Sequence, residues 1–289
     1  MYKLLTIFTP TYNRAHTLLK LYNSLCMQTN LGFKWLIIDD GSTDNTEQLV
    51  QRFMNEKKID IAYHKQVNVG KALSHNKGVA LTTTELFVCV DSDDALVPNA
   101  VEYIASKWET IKSTDCVGML AYKVSFSGKM MTHCDKNIHF STLRNAYQSR
   151  KLRGETMLVY RTDIIKQYSF PHYEGEKFVT EAYLYDLIDQ VGELYFLHEA
   201  LYLSDYLEDG YTMNIHKIKK NNPNGHLAYI QQRIKLNESY WGICKDTIRY
   251  IAIAKCVYKP KEIISKAIFP HIAFMLYPIG IYFYRKLYK

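Results

Sequence analysis

Four short apolar runs, each ending in a polar cluster and most followed by a helical pattern, constrain this chain more than any other feature. Leu4–Phe8 reads as a buried strand that stops at Pro10, and Leu18, Leu21, Tyr22 and Leu25 then recur at helical spacing. Trp35–Ile38 is a second strand, closed by Asp39-Asp40-Gly41. Asp44, with Glu47 three residues later, reads as a capping-box helix start, and that helix is expected to reach Asn55. Ile59–Tyr63 is a third strand and Gly70–Ala80 another helix. Leu86–Val90 is a fourth strand that runs into Asp91-Ser92-Asp93-Asp94. Pro98 stands where the next helix would begin, with Val101, Ile104, Ala105 and Trp108 on one face, and Val117–Val124 is a further strand. Such alternation predicts an α/β fold: a mostly parallel sheet covered by helices.

Beyond Ser125 the pattern is less regular. Short strands (Met157–Tyr160, Leu194–Leu197) alternate with short helical stretches (Thr162–Tyr168, Thr180–Gln190). Composition enters where domains must be drawn. Residues 1–214 carry 22 Lys/Arg and 26 Asp/Glu, whereas residues 215–289 carry 14 and 3, a net of +11 for the tail. The reading is therefore one α/β domain over 1–214, with halves at 1–118 and 119–214, and a helical extension, basic and partly apolar, over 215–289.

Several function classes fall away. With 47% hydrophobic residues and seven prolines the chain is not mainly disordered. No apolar run reaches the roughly 18–20 residues of a membrane-spanning helix. Leu4–Phe8 is too short for a signal peptide, so a cytoplasmic protein is expected. Cys26, Cys89, Cys116, Cys134, Cys244 and Cys256 show no zinc-like spacing and read as free thiols. The ten histidines show no paired spacing, so no histidine metal site is expected. Ile268–Tyr284 is apolar but broken by Pro270 and Pro278. With Lys266, Arg285, Lys286 and Lys289 beside it, it suits lying on an anionic membrane surface; a helix packing on the body, or a protein–protein contact, is the other reading. Trp35 and Trp108 read as core, and core is also the preferred place for Trp241. A basic tail admits nucleic acid, but no aromatic–basic recognition motif accompanies it, and none is expected as a partner.

In an open parallel sheet, ligands bind beyond the carboxyl ends of the strands. Three polar clusters fall there: Thr9-Pro10-Thr11-Tyr12-Asn13-Arg14, Asp39-Asp40-Gly41-Ser42 and Asp91-Ser92-Asp93-Asp94. Three carboxylates within four residues repel one another unless a cation is present. Hard divalent ions take oxygen ligands and leave positions for water and phosphate, so the last cluster reads as a Mg²⁺ or Mn²⁺ site holding a diphosphate. Asn68-Val69-Gly70-Lys71 precedes a helix, and its N–H groups with Lys71 are candidates for phosphate oxygens.

Taken in order, TIFTPTYNR, WLIIDDGSTDNT, NVGKALSHNKGV and VCVDSDD resemble the family 2 glycosyltransferases of the GT-A fold, over about Leu4 to Ala100. That resemblance implies a Rossmann-like sheet flanked by helices and a nucleotide-diphospho-sugar donor, most often a uridine one. It implies that Thr11, Tyr12 and Arg14 lie along base and ribose, with Thr9 and Pro10 in the same segment, and that Asp40 hydrogen-bonds the base. Asp93 and Asp94 would serve ribose and metal, with Asp91 and Ser92 beside them; the pattern leaves open which aspartate touches the ion.

The second half matches more loosely. Gly175–Ile188 resembles the segment that carries the family's catalytic base. Many members have Glu-Asp where this chain has Glu181-Ala182, so Glu181 is the candidate base, partly buried, with Asp186 as the alternative. Gly154-Glu155 is a candidate acceptor contact, and Tyr206–Tyr211 a candidate loop over the donor. The implied reaction is inverting sugar transfer to a saccharide or lipid-linked saccharide in bacterial surface polysaccharide assembly, at the inner face of the membrane. Two alternatives stand beside it. A nucleotidyltransferase would want a Gly-rich basic loop where Pro10-Thr11-Tyr12-Asn13 stands. A catalytically degenerate subunit would account for the missing aspartate.

Overall fold

In the computed structural model, which describes residues 2–205 and 215–289, the expected strands and helices form in the expected order. The first half runs β1 (Leu5–Thr11), α1 (Ala15–Cys26), β2 (Phe33–Asp39), α2 (Thr46–Glu56), β3 (Ile61–Lys65), α3 (Lys71–Leu81), β4 (Leu86–Cys89), β5 (Ala95–Leu96), α4 (Ala100–Ile111) and β6 (Gly118–Val124). Then come β7 (Thr132–Cys134), β8 (Phe140–Ser141), α5 (Leu143–Gln148), β9 (Leu152–Gly154), β10 (Thr156–Arg161), α6 (Thr162–Ile165), α7 (Ala182–Ile188) and β11 (Leu194–Leu203). The described C-terminal part is helical: α8 (Ile215–Asn221), α9 (Pro223–Lys235), α10 (Tyr240–Ala254), α11 (Pro260–Ser265) and α12 (Pro270–Leu287).

Nine strands make one sheet in the order β3-β2-β1-β4-β10-β6-β11-β5, with β8 also on β11; β7 and β9 form a separate pair. β1 pairs in parallel with β2 from Leu5↔Phe33 to Thr11↔Asp39, and with β4 from Leu5↔Leu86 to Phe8↔Cys89. β2 pairs in parallel with β3. Four neighbouring strands thus end on the same edge. The chain steps outward from β1 to β3 and then returns to place β4 on the other side of β1. That reversal leaves a crevice beyond the ends of β1 and β4, where ligands of such sheets bind. β10 breaks the parallel order, lying antiparallel between β4 and β6.

The sheet forms because its strands are apolar enough to be covered on both faces. Trp35, Ile37, Leu5, Ile7 and Val88 are sealed from solvent, joined by Leu18, Leu21 and Leu25 of α1 and by Ile104 and Trp108 of α4. The Tyr22 ring stacks on Phe53 at 3.9 Å between centroids, beside Trp35. Each such aliphatic or Phe side chain contributes about 1.5–3 kcal/mol by leaving water. Trp35 and Trp108 are core, as expected, and their indole N–H groups donate to Thr9 Oγ1 and Glu85 Oε1.

The chain divides into two compact units. One holds residues 1–169 with 187–206, the other 170–186 with 207–289. The change of charge at 214/215 is therefore not the structural boundary, because the earlier segment 170–186 folds with the C-terminal helices. Glu176 explains why. Its Oε1 accepts from the N–H and Nδ2 of Asn224 and its Oε2 from the Gly225 N–H, all at 2.8 Å, so it satisfies the open start of α9. Asn222 Oδ1 in turn accepts from the N–H groups of Lys177 and Phe178. Leu227, Ile230 and Ile234 of α9, Tyr250–Ala254 of α10, Ile263 of α11 and Ala273 of α12 make this unit's own core.

Three expectations need correction. The Asp44/Glu47 capping box forms only in half: Asp44 Oδ1 accepts from the Thr46 N–H at the start of α2 and its Oδ2 from the Ala15 N–H at the start of α1, but Glu47 pairs with Lys65. Trp241 is not core but 68% exposed, because it sits on the first turn of α10, whose inner face begins at Asp246. The Ile268–Tyr284 segment is not broken by Pro278: α12 runs through it. Pro278 and Phe274, whose carbonyl loses its usual partner, both lie on the solvent side, where water satisfies the freed group. Among the described residues no helix is long and apolar enough to cross a membrane, and none of the six cysteines is in a disulfide.

Candidate active site

The crevice at the ends of β1, β2 and β4 is built by loops that hold one another. Asn13, with φ +53°, turns the chain after β1 and donates its backbone N–H to Ser42 Oγ at 2.9 Å. Its Oδ1 accepts from the Thr43 N–H at 2.8 Å, so the loops after β1 and β2 are stitched together. Asp39, fully buried, holds its loop through the Ser42 N–H (2.7 Å) and takes the Tyr63 hydroxyl at 2.5 Å. Gly41 has φ +83°, and a Cβ there would lie 3.0 Å from the Asn68 nitrogen, so only glycine fits between these loops.

Asp40 is almost completely buried. Its Oδ1 accepts from Gln66 Nε2 (2.8 Å) and the Val69 N–H (2.9 Å), and its Oδ2 from the Gly70 N–H (2.7 Å). The expectation that the Asn68–Lys71 turn leaves its N–H groups open to phosphate is corrected here: those of Val69 and Gly70 are held by a protein carboxylate. A carboxylate has about four acceptor positions. Three are taken, which leaves one on Oδ2 for a ligand. Thr9 is sealed beneath the site and receives the Trp35 indole N–H. Thr11 Oγ1 is different: it is buried and has no hydrogen-bond partner among the described residues. A buried hydroxyl with no partner at the end of β1 is an unmet hydrogen-bonding group beside the crevice. Tyr12 is about half exposed above it.

The third cluster forms a tight turn in which the Asp94 N–H donates to the Asp91 carbonyl. Lys71 Nζ, at the start of α3, is 2.7 Å from Asp91 Oδ1. The Tyr202 hydroxyl, buried on β11, donates to Asp94 Oδ2 at 2.8 Å and accepts from the Asp91 N–H at 3.0 Å. Lys123 Nζ of β6 lies 4.2 Å over the Tyr202 ring and 3.5 Å from Glu155. Removal from water raises the Asp91 carboxyl, but the charges of Lys71 and Lys123 outweigh it and hold Asp91 below the usual carboxylate range. Burial first, and the Asp91 charge second, push Asp94 up to about 7. Ser92 is buried, whereas Asp93 is half-exposed.

This donor set fits a hard divalent ion. Asp91 and Asp93 offer partly exposed oxygens on one turn, and Asp94 keeps one oxygen beside that taken by Tyr202. Among the described residues no group of three or more His, Cys, Asp or Glu side chains is placed to hold a metal ion. An ion held here would complete its shell with water and substrate oxygens, the usual habit of Mg²⁺.

Glu181 lies in the other unit. It opens α7, its carbonyl accepting from the N–H groups of Leu184 (3.0 Å) and Tyr185 (3.3 Å). It is exposed rather than partly buried, and Asp186 is half-buried one turn on. Gln232 Nε2 donates to the Tyr183 carbonyl and ties this helix to α9. Glu155, next to Gly154, reaches Lys123 as noted. Tyr206–Tyr211 lie outside the described residues.

Sequence reasoning missed Tyr202, Lys123, Gln66 and the Asn13–Ser42 stitch. Nothing in the local sequence marks Tyr202 or Lys123; only the pairing of β11 with β6, Tyr202↔Lys123, and with β5, Tyr202↔Leu96, brings them to the aspartates.

A half-parallel sheet with a polar turn beyond its first strand and acidic turns beyond its second and fourth, extended through an antiparallel β10 and followed by helices, is the GT-A glycosyltransferase fold. The family model described as glycosyl transferase family 2 matches residues 6–169, and the chain belongs to that family. Among solved structures, TarS 1–349 of S. aureus in complex with UDP-GlcNAc is similar at 16% identity with a TM-score of 0.64, over 98% of this chain and 90% of that one. A mannosyltransferase of Pyrobaculum calidifontis, in complex with GDP-Man and Mn²⁺, is similar at 14% identity with a TM-score of 0.57, over 99% and 82%. GlyG, a glycosyltransferase of Streptococcus pneumoniae, is 22% identical over 70% of this chain and 71% of its own. An uncharacterized glycosyltransferase of Nostoc sp. is 29% identical over 40% of this chain, which spans only 35% of that relative.

Proposed function

We propose that this chain transfers a sugar from a nucleotide-diphospho-sugar, a UDP-sugar on this reading, to an acceptor hydroxyl with inversion at the anomeric carbon. The observation that carries it is the convergence at one crevice of an orphaned Thr11 hydroxyl, the Asp40 carboxylate and the Asp91–Asp94 turn. TarS and the mannosyltransferase, solved with a nucleotide-sugar, lend the donor class.

Thr11, Tyr12 and Arg14, carried on the segment that Thr9 and Pro10 anchor, bind base and ribose, and the open position on Asp40 takes a base N–H. Gly70 keeps the turn before α3 in place. Lys71, now on Asp91, is positioned to exchange that partner for a phosphate oxygen. Asp93 and Asp94, with Asp91 and Ser92 beside them, would hold Mg²⁺ or Mn²⁺. Such an ion supplies neutralisation of the charge that gathers on the leaving diphosphate. Glu181 is the proposed base that takes the acceptor proton, with Asp186 as the alternative. The acceptor is a saccharide or lipid-linked saccharide in bacterial surface polysaccharide assembly, at the cytoplasmic face of the membrane.

The test is donor binding by calorimetry, with Mn²⁺ and with EDTA, in the wild type and in Asp93→Ala/Asp94→Ala. Binding that depends on metal in the wild type and is lost in the double variant is expected. An affinity indifferent to both EDTA and the substitutions removes the metal site. A second reading, a degenerate subunit that binds a partner at the membrane, draws on Ala182 standing where an aspartate is usual; donor turnover separates the two.

A further inference from the structure

The α12 helix is apolar on both sides. Ala273 and Gly280 face the core of their own unit. On the opposite side, Phe274 (69% exposed), Met275 (61%), Ile279, Tyr282 (63%), Phe283 and Leu287 are open to solvent. With Pro278 they recur at steps of three and four, so they form one continuous stripe along the helix. A single exposed leucine needs no explanation, but an apolar stripe over about four turns does.

The charges around the stripe select its occupant. α12 contains no acidic residue and ends in Arg285 and Lys286, with Lys289 just beyond. Residues 215–289 carry a net charge of +11. Two of their three acids are turned to internal use: Asp246 is buried between Arg233 and Arg249, and Glu262 accepts from the Lys259 N–H at the start of α11. Trp241 and Tyr240, largely exposed at the start of α10, add amphipathic rings of the kind that settle at lipid headgroups, and Lys245 lies over the Trp241 ring. A second copy would bring another strongly cationic tail against this one. An anionic bilayer offers apolar material to the stripe and negative charge to its basic end together.

We infer that the exposed face of α12 is a docking surface for an anionic phospholipid bilayer, with Phe274, Met275, Ile279, Tyr282 and Phe283 entering the headgroup–acyl boundary and Arg285, Lys286 and Lys289 meeting lipid phosphates. The helix lies in the plane of the surface and does not span it. This inference stands apart from the transferase reading, since it uses none of the site residues.

The test is co-sedimentation of the full chain with vesicles of phosphatidylcholine alone and of phosphatidylcholine with phosphatidylglycerol. Binding to the anionic vesicles is expected, weaker by about tenfold or more on the neutral ones. Phe274→Ser/Ile279→Ser/Phe283→Ser is expected to abolish binding while leaving thermal unfolding and donor binding unchanged. Arg285→Glu/Lys286→Glu, which leaves every apolar contact in place, is expected to remove the preference for anionic lipid. No binding to either vesicle, or binding that survives both sets of substitutions, overturns the inference. So does a dimer in sedimentation velocity that the serine variant disperses, which would assign the stripe to a second copy.

Discussion

One hydroxyl does two jobs at the Asp91–Asp94 turn. Tyr202 donates to Asp94 and accepts from the Asp91 backbone, so it fixes the turn and satisfies a buried carboxylate. Tyr202→Phe keeps the ring under Lys123 and removes both bonds. A buried acceptor left unsatisfied costs about 1–3 kcal/mol, so urea unfolding is expected to show a loss of that size and donor affinity a loss of about tenfold. Unchanged affinity would mean that the turn holds its shape without the tyrosine. Glu181→Gln preserves shape and removes the proton acceptor. Turnover is expected to fall by at least a hundredfold with donor binding intact; turnover near that of the wild type would take Glu181 out of the base role. The aspartates themselves were legible in the sequence because they sit where a strand ends. Tyr202 was not, since its place is set by a strand pairing more than a hundred residues away.

At the scale of elements, two helix starts are closed by carboxylates from elsewhere in the chain. Asp40 holds the turn into α3 and Glu176 that into α9. Neither is a local capping box, which is why reading Gly70–Ala80 as a helix did not reveal what begins α3. A lost cap costs about 0.5–2 kcal/mol. Glu176→Ala is expected to lower stability within that range, read by urea unfolding, and to leave donor binding unchanged. Asp40→Ala is expected to cost more, because three donors become unsatisfied in a buried place, and to weaken donor binding as well. Equal effects of the two on donor affinity would contradict the separate roles given them. The strand and helix order through β6 was readable because buried strands and one-sided helices have distinct periods. Beyond Ser125 apolar patterning still marked Met157–Tyr160 and Leu194–Leu197, which form β10 and β11, but not β7, β8 and β9, which are two or three residues long, nor the reversal of direction at β10.

For the whole molecule, the division into units follows packing and not charge: residues 170–186 precede the basic tail but fold with it. The tail's own chemistry makes its stability depend on pH. His226 is buried on α9, with Nδ1 unpartnered among the described residues. Burial first, then the charges of Lys219 and Arg249, lower its pKa to about 3. In the unfolded chain it returns to about 6.5. Between those values the unfolded state binds a proton that the folded state refuses. Stability is therefore full above about pH 6.5 and falls as the pH drops toward 3. His226→Phe, similar in volume, is expected to flatten the fall in Tm between pH 7 and pH 4 relative to the wild type. Parallel profiles would mean that other groups set the acid limit.

The most direct test of the transferase account is release of nucleotide from its donor. The purified chain is incubated with a panel of UDP-, GDP-, CMP- and dTDP-sugars, with Mn²⁺ and with EDTA, and free nucleotide is measured. The account predicts metal-dependent release from one donor, with a UDP-sugar expected. No release from any donor, together with no nucleotide bound by calorimetry, would contradict it and leave a glycosyltransferase fold that serves as a partner subunit.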